Sequence, residues 1–380
     1  MTQQIERFAL SVPEAALDDL KGRLARTRWP DAETVTDTRQ GPPLSKVRAL
    51  CDHWLHAYDW RRCEAVLDRF GQYRTEIDGL GIHFLHVRSP HADALPLLLT
   101  HGWPGSVLEF RHVIDPLIHP ADSRDAFHVI VPSLPGFGFS DQPTTTGWGL
   151  GRIADAWIEL MRRLGYQRWV AQGGDWGAAV TMTLGYKAPT ALAAIHLNMV
   201  MMQPTQEERT HATASEQAML DAAQRYDEQF SAYSKLQATR PQSIGFSLAD
   251  SPAGLAAWIY ALFQDVSDSG SNPESVFSID DMLDDIMLYW LPNTGASSAR
   301  LYWEAMQAMR AGTPPGPMRT PAAISMFPGE QIRLSRRWAE ARFAQLIHFN
   351  ELDRGGHFAA LEQPALFVDE LRSAFRSLRT

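Results

Sequence analysis

Cysteine is nearly absent: Cys51 and Cys63 are the only two in 380 residues. Two are too few for a disulfide scaffold in a chain this long, and no second pair accompanies them as a zinc site would require. Both are expected to be reduced packing residues. No apolar run approaches the roughly 18 residues that span a bilayer. The polar start from Met1 to Leu10 has no signal-peptide core, so a soluble, cytoplasmic protein is expected. Basic blocks are missing too. With 35 Lys and Arg against 44 Asp and Glu, a net charge of −9, neither nucleic acid nor an anionic membrane is expected as the main partner. No period of about 20–50 residues repeats and no low-complexity tract occurs, which excludes solenoids and propellers. What is there is globular in composition, 45% hydrophobic and 21% charged. Disorder and coiled coil are thereby excluded, and the length fits two or three domains, or one large domain with insertions.

The pattern of apolar residues divides the chain. Ala16, Leu17, Leu20 and Leu24 predict a helix over Pro13 to Leu24, and a second amphipathic stretch runs from Leu44 to Phe70 through Val47, Leu50, Trp54, Tyr58 and Leu67. Residues 1–72 read as a helical, loop-rich extension. From Tyr73 the character changes. Ile77 to Val87 reads as a hairpin around Asp78-Gly79, and Leu95 to Leu99 as a buried strand that ends in His101-Gly102. Strands at Phe127–Val131, Trp169–Ala171 and Ala191–Val200 alternate with helices at Ile153–Leu164 and Ala178–Tyr186, which implies parallel βαβ units. Residues 203–312 break this pattern. They are mostly helical and too many for a loop, so they read as an inserted lid between core segments 73–202 and 313–380. Strands resume at Ala323–Phe327 and Leu346–Glu351, and Leu361–Leu378 is a closing helix.

Three short stretches carry chemistry. In Gly173-Gly174-Asp175-Trp176-Gly177, glycines two before and two after a central residue permit the sharp strand-to-helix turn of a nucleophile elbow. The projecting group is a carboxylate in place of serine, so attack on carbon would give an ester that water can hydrolyse. His101-Gly102-Trp103-Pro104-Gly105 follows a buried strand, where an α/β-hydrolase draws one oxyanion-hole amide; the amides of Trp103 and Trp176 are the candidates. Arg354-Gly355-Gly356-His357-Phe358 aims a histidine inward late in the chain, in the order nucleophile, acid, histidine. The acid then belongs at the end of a strand between them. Glu330, after the apolar run Ala323 to Phe327, fits that place better than Asp285, Glu351 or Asp353.

Essentially the whole chain resembles the microsomal-type epoxide hydrolases of the α/β-hydrolase superfamily. The resemblance rests on Thr27-Arg28-Trp29-Pro30, His53-Trp54 and Tyr58-Asp59-Trp60-Arg61 in the extension, and on His101 to Ser106, Pro132 to Ser140, Gly173 to Gly177 and Arg354 to Ala360 in the core. It implies an α/β-hydrolase fold with a mostly parallel sheet, a helical lid and an N-terminal extension. It further implies that Tyr233 and Tyr302, two lid tyrosines at motif positions, protonate the epoxide oxygen, with Asp175 as nucleophile, His357 as general base and Glu330 as its orienter. Where the resemblance leads one to look for glycine before the first tyrosine, this chain has Ala232. His101, Trp103 and Trp176 are expected to contact substrate. The partners implied are an epoxide, apolar or aromatic given the many Trp, Phe and Met, and water. No cofactor or metal is implied, and no counterpart of the mammalian membrane anchor is seen. The extension's amphipathic helices are compatible with wrapping core and lid or with a homodimer contact. Detoxification and a step of secondary metabolite biosynthesis both fit. The rival enzyme is a haloalkane dehalogenase, which shares the aspartate but needs halide donors where the tyrosines stand. A non-catalytic binding protein on the same scaffold would not need the full Asp175, Glu330, His357 set.

Overall fold

The computed structural model describes residues 4–311 and 316–379. The expected lid boundary at Gly312 and the restart at Thr313 lie outside these residues, as does the extreme N-terminus. Among the described residues nine strands form one sheet in the order β1-β2-β3-β5-β4-β6-β7-β8-β9. They are β1 (Glu6–Arg7), β2 (Gln72–Ile77), β3 (Leu80–Val87), β4 (Leu95–Thr100), β5 (Phe127–Pro132), β6 (Trp169–Gly173), β7 (Leu192–Leu197), β8 (Ala322–Met326) and β9 (Leu346–Glu351). From β5 across to β9 every pairing is parallel, and β1, β2 and β3 add an antiparallel edge. Strands β4 to β8 are buried on both faces, which is why they read as continuous apolar runs, while β9 at the sheet's edge is only half-buried.

Chain direction across the sheet reverses between β4 and β6: β5 lies on one side of β4, and β6 on the other. Outside the carboxyl ends of strands at such a switch point a crevice opens, and the loops after β4 and β6 are the two that the sequence marked. The helix Asp175–Lys187 starts directly from β6 and packs against the sheet so closely that a Cβ at Gly177 would stand 1.8 Å from the Thr100 carbonyl oxygen. That approach is what the last glycine of the elbow provides. Between β7 and β8 runs a series of helices from Gln206–Thr210 to Gly295–Ala311, which covers the crevice.

Several expectations need correction. The stretch Leu44–Phe70 is two helices, Leu44–His56 and Trp60–Arg69, because Asp59 caps the second by accepting from the Arg61 amide. The hairpin's first arm begins at Gln72, and its turn sets Asp78 and Gly79 at φ 52° and 76°, the geometry such dipeptides favour. The closing helix breaks at Gln363, since Pro364 cannot donate into the preceding turn; Ala359–Glu362 and Pro364–Phe375 are separate. Strand β1, paired to β2, has too few residues to give a periodic signal.

The extension lies on the lid. Trp54 Nε1 donates to Met287 Sδ at 3.3 Å, and Arg23 reaches the Asp250 carbonyl at 2.9 Å. The strongest junction is Asp284, fully buried on the helix Ile279–Trp290. It accepts from Tyr58 Oη (2.7 Å) and Arg62 Nη2 (2.7 Å) of the extension and from Arg111 Nη1 (2.6 Å) of the core. Asp284→Ala leaves the buried Arg111 guanidinium without this partner, so a loss of about 3–5 kcal/mol in unfolding free energy is expected. Urea denaturation checks it; a change under about 1 kcal/mol would show that Asp281, also in contact with Arg111, suffices.

Candidate active site

The elbow holds Asp175 at φ 46°, a left-handed conformation rarely adopted by anything but glycine. It is the first residue of its helix, so its carboxylate sits at the helix's positive end. Oδ1 accepts the Trp103 amide at 2.7 Å. Gly102, next to it, has no room for more: a Cβ there would fall 2.1 Å from Asp175 Oδ1. The Trp103–Pro104 peptide of the same loop is cis. Burial raises the carboxyl pKa above its ordinary value, while the charge of His357 and the amides of Trp103 and Trp176 pull the other way.

Oδ2 faces His357, with Nε2 at 3.7 Å. His357 Nδ1 meets Glu330 Oε2 at 2.8 Å, and Glu330 Oε1 accepts the amides of Gln331 (2.7 Å) and Ile332 (3.1 Å). The carboxylate is thus pinned by its own backbone, and it fixes which ring nitrogen points at Asp175. Burial lowers the imidazole pKa, but the charges of Glu330, Asp175 and Glu109 outweigh it and push the value up to about 10. The structure brings Asp175, Glu330 and His357 together as the chain order suggested; Asp285 is buried on a lid helix, while Glu351 and Asp353 are exposed.

The lid supplies the roof. The Tyr233 ring stacks on Trp103 with centroids 5.2 Å apart, Tyr302 meets Trp176 edge-on at 4.7 Å, and the two tyrosine rings are 6.0 Å apart. The Tyr302 hydroxyl is buried and has no hydrogen-bond partner among the described residues. Burial, followed by the charge of Asp175, raises its pKa well above normal, so it stays a proton donor at neutral pH.

His101 departs from expectation. One ring nitrogen accepts the Leu134 amide at 3.2 Å and the other lies 2.9 Å from the Gly102 carbonyl, so both are engaged by backbone and the side chain braces the Trp103 loop instead of meeting substrate. Burial lowers its pKa to about 4, keeping it neutral in that role. Sequence reasoning missed three groups. Glu362 accepts the amides of Asp268, Gly356 and Phe358 (2.8, 2.9 and 2.9 Å) and so shapes the loop around His357. Glu109 is half-buried, with its carboxyl turned in beside Gly105, where desolvation pushes its pKa up to about 8. Tyr226 places its hydroxyl 2.7 Å from that of Tyr233. No local pattern flags any of them, because each is defined by what folds onto it.

Known proteins share this arrangement of chain. A sequence model described as epoxide hydrolase N terminus matches residues 5–110, and one described as the alpha/beta hydrolase fold matches 96–256. A protein of Stigmatella aurantiaca, whose own description as an epoxide hydrolase is provisional, is 56% identical over 99% of this chain and 86% of its own length. Epoxide hydrolase 1 of Sus scrofa is 31% identical, over 97% of this chain and 88% of the pig protein. Among solved structures, Aspergillus niger epoxide hydrolase is 31% identical with a TM-score of 0.88, covering 98% of this chain and 96% of that one. The juvenile hormone epoxide hydrolase of the silkworm Bombyx mori is 26% identical, with a TM-score of 0.91 over 99% and 96%.

Proposed function

The chain belongs to the epoxide hydrolases and has their α/β-hydrolase fold, and from that premise we propose how its residues divide the reaction. Asp175 Oδ2 attacks an epoxide carbon while Tyr233 and Tyr302 donate to the epoxide oxygen. The carbon–oxygen bond of the ring breaks, its oxygen takes a phenolic proton, and an ester forms on Asp175. Solvent returns a proton to the tyrosine. Esterification removes one of the charges that raise the His357 pKa, so the imidazole releases its extra proton and becomes a base. It then takes a proton from water as the oxygen adds to Cγ of Asp175. The oxyanion develops on Oδ1, beside the Trp103 amide and at the helix terminus that carries Trp176. Collapse expels the diol oxygen, former Oδ2, which takes a proton from His357. The proton of the new carboxyl group restores the imidazolium.

The observation that carries this reading is the division of labour between the two oxygens of Asp175: Oδ1 is held by the Trp103 amide, and Oδ2 is turned to the histidine. The tyrosine pair above them favours an epoxide over a haloalkane, whose departing halide needs no proton. The rings of Trp103, Trp176, Tyr233 and Tyr302 favour an apolar or aromatic substrate. A single turnover of racemic styrene oxide in heavy-oxygen water, with enzyme in excess, tests the route. Diol carrying only ordinary oxygen is expected, with heavy oxygen in the Asp175 peptide, and no diol from Asp175→Ala. Heavy oxygen in the first-turnover diol would mean direct attack by water and would overturn it.

A further inference from the structure

The two lid tyrosines are not equivalent. Tyr302 has a hydroxyl without a partner among the described residues, whereas Tyr233 has one, the hydroxyl of Tyr226 at 2.7 Å. Residues seven apart on an unbroken α-helix are about 10 Å apart along its axis and their side chains lean the same way, so this contact is favoured by a special backbone. The chain supplies it. Between the helices Ala214–Arg225 and Ala232–Thr239, residues Tyr226–Phe230 form a single π-helical turn, a feature that recurs at functional sites. The turn is closed by Ser231 Oγ and Lys235 Nζ, which donate to the Asp227 carbonyl at 2.6 and 2.7 Å.

We propose that Tyr226 is a positioning residue for ring opening: its hydroxyl donates to Tyr233 Oη, aims the Tyr233 proton at the epoxide oxygen, and supports the phenolate that Tyr233 becomes. The proposal rests on the reading of Tyr233 as a ring-opening acid. A phenol that gives up its proton under the lid becomes an anion close to the loop that holds Asp175, in a place where water is scarce. Burial first, then the neighbouring tyrosines and Asp175, opposes that anion, and so does the bond to Tyr226 as long as Tyr233 is its donor; turned round, with Tyr226 donating, the same bond favours it. A hydrogen bond strengthens when its acceptor becomes charged, so the Tyr226 donor gains most at the transition state, when it is needed. In the substrate complex Tyr233 has one proton to give, and if that proton points at the epoxide, the bond between the tyrosines must run from Tyr226 to Tyr233. Tyr226 is only partly buried, so the phenolate can regain its proton along the same line. The balance is simple: the proton lost by Tyr233 ends on the ring-opened oxygen, Tyr226 passes its own to Tyr233, and water replaces that one. Tyr302, with no second donor behind it among the described residues, supplies a hydrogen bond to the epoxide oxygen.

The test is pre-steady-state: styrene oxide with enzyme in excess, samples quenched and the ester on Asp175 counted by mass spectrometry, for Tyr226→Phe, Tyr233→Phe and the double variant. Phenylalanine keeps the ring, so packing is preserved. Tyr226→Phe is expected to slow ester formation about 10- to 100-fold, the worth of a hydrogen bond to a charged group, and to leave ester hydrolysis within about 2-fold. In the Tyr233→Phe background the same change should have no further effect. An unchanged rate of ester formation in Tyr226→Phe, or an equal loss in both backgrounds, would overturn the proposal in favour of packing. Ester formation at the full rate in Tyr233→Phe would instead overturn the reading of the lid tyrosine, and the proposal with it.

Discussion

His357→Gln is expected to attack its epoxide once and then stall, its mass raised by that of one substrate molecule at Asp175. Glutamine can still reach Glu330, but it cannot take a proton from water, and loss of a general base typically costs ~10²- to 10⁴-fold. Ester hydrolysis should fall by that factor while ester formation persists. Intact-protein mass spectrometry after mixing with styrene oxide reads both. A variant that turns over normally, or that carries no adduct, would remove His357 from the role of base. The pH dependence has a definite sign. In the free enzyme the imidazole pKa, about 10, lies above its unfolded value, so its pairing with Glu330 and Asp175 adds stability in full below roughly pH 6.5. That contribution is lost as pH rises toward 10, and the stability gap between wild type and His357→Gln should narrow over that window.

Removing the nucleophile separates chemistry from backbone strain. Asp175→Ala and Asp175→Gly should both lose turnover by ~10⁴-fold or more, since each eliminates the covalent route. They should differ in stability. Alanine at φ 46° keeps the left-handed conformation that costs an L-residue roughly 1–2 kcal/mol, and glycine does not, so the glycine variant should be more stable than the alanine one by about 1 kcal/mol. Paired denaturation curves measure it. Equal stabilities would mean that the elbow stores no strain at Asp175.

How much was legible in the sequence depended on the range over which each feature is encoded. The elbow was legible because Gly177 and Gly102 record in residue type the close approaches of the Thr100 carbonyl and of Asp175 itself. Glu330 was reached by chain order plus the strand before it. The buried parallel strands announced themselves as apolar runs, and the lid as their interruption. The tyrosines came from family likeness, since an aromatic on a helix says nothing by itself about what it faces. His101 was misjudged because its two partners, the Leu134 amide and the Gly102 carbonyl, are backbone groups that carry no residue signature. Tyr226 and Glu362 escaped for the complementary reason: a π-helical turn and a loop folded over a carboxylate are visible only once the chain has closed.

The junction at Asp284 also sets an order of events during synthesis. Arg62 and the carboxylate that receives it are 222 residues apart. At about 5–20 residues per second the ribosome needs roughly 10–40 s to make what lies between. The extension therefore emerges first and docks late. During that interval the faces carrying Leu17, Leu20, Leu24, Val47, Leu50 and Trp54, all buried in the finished molecule, have no lid to cover them. The first seventy residues are thus the part of the nascent chain that waits longest, and the part on which a chaperone's hold would matter most.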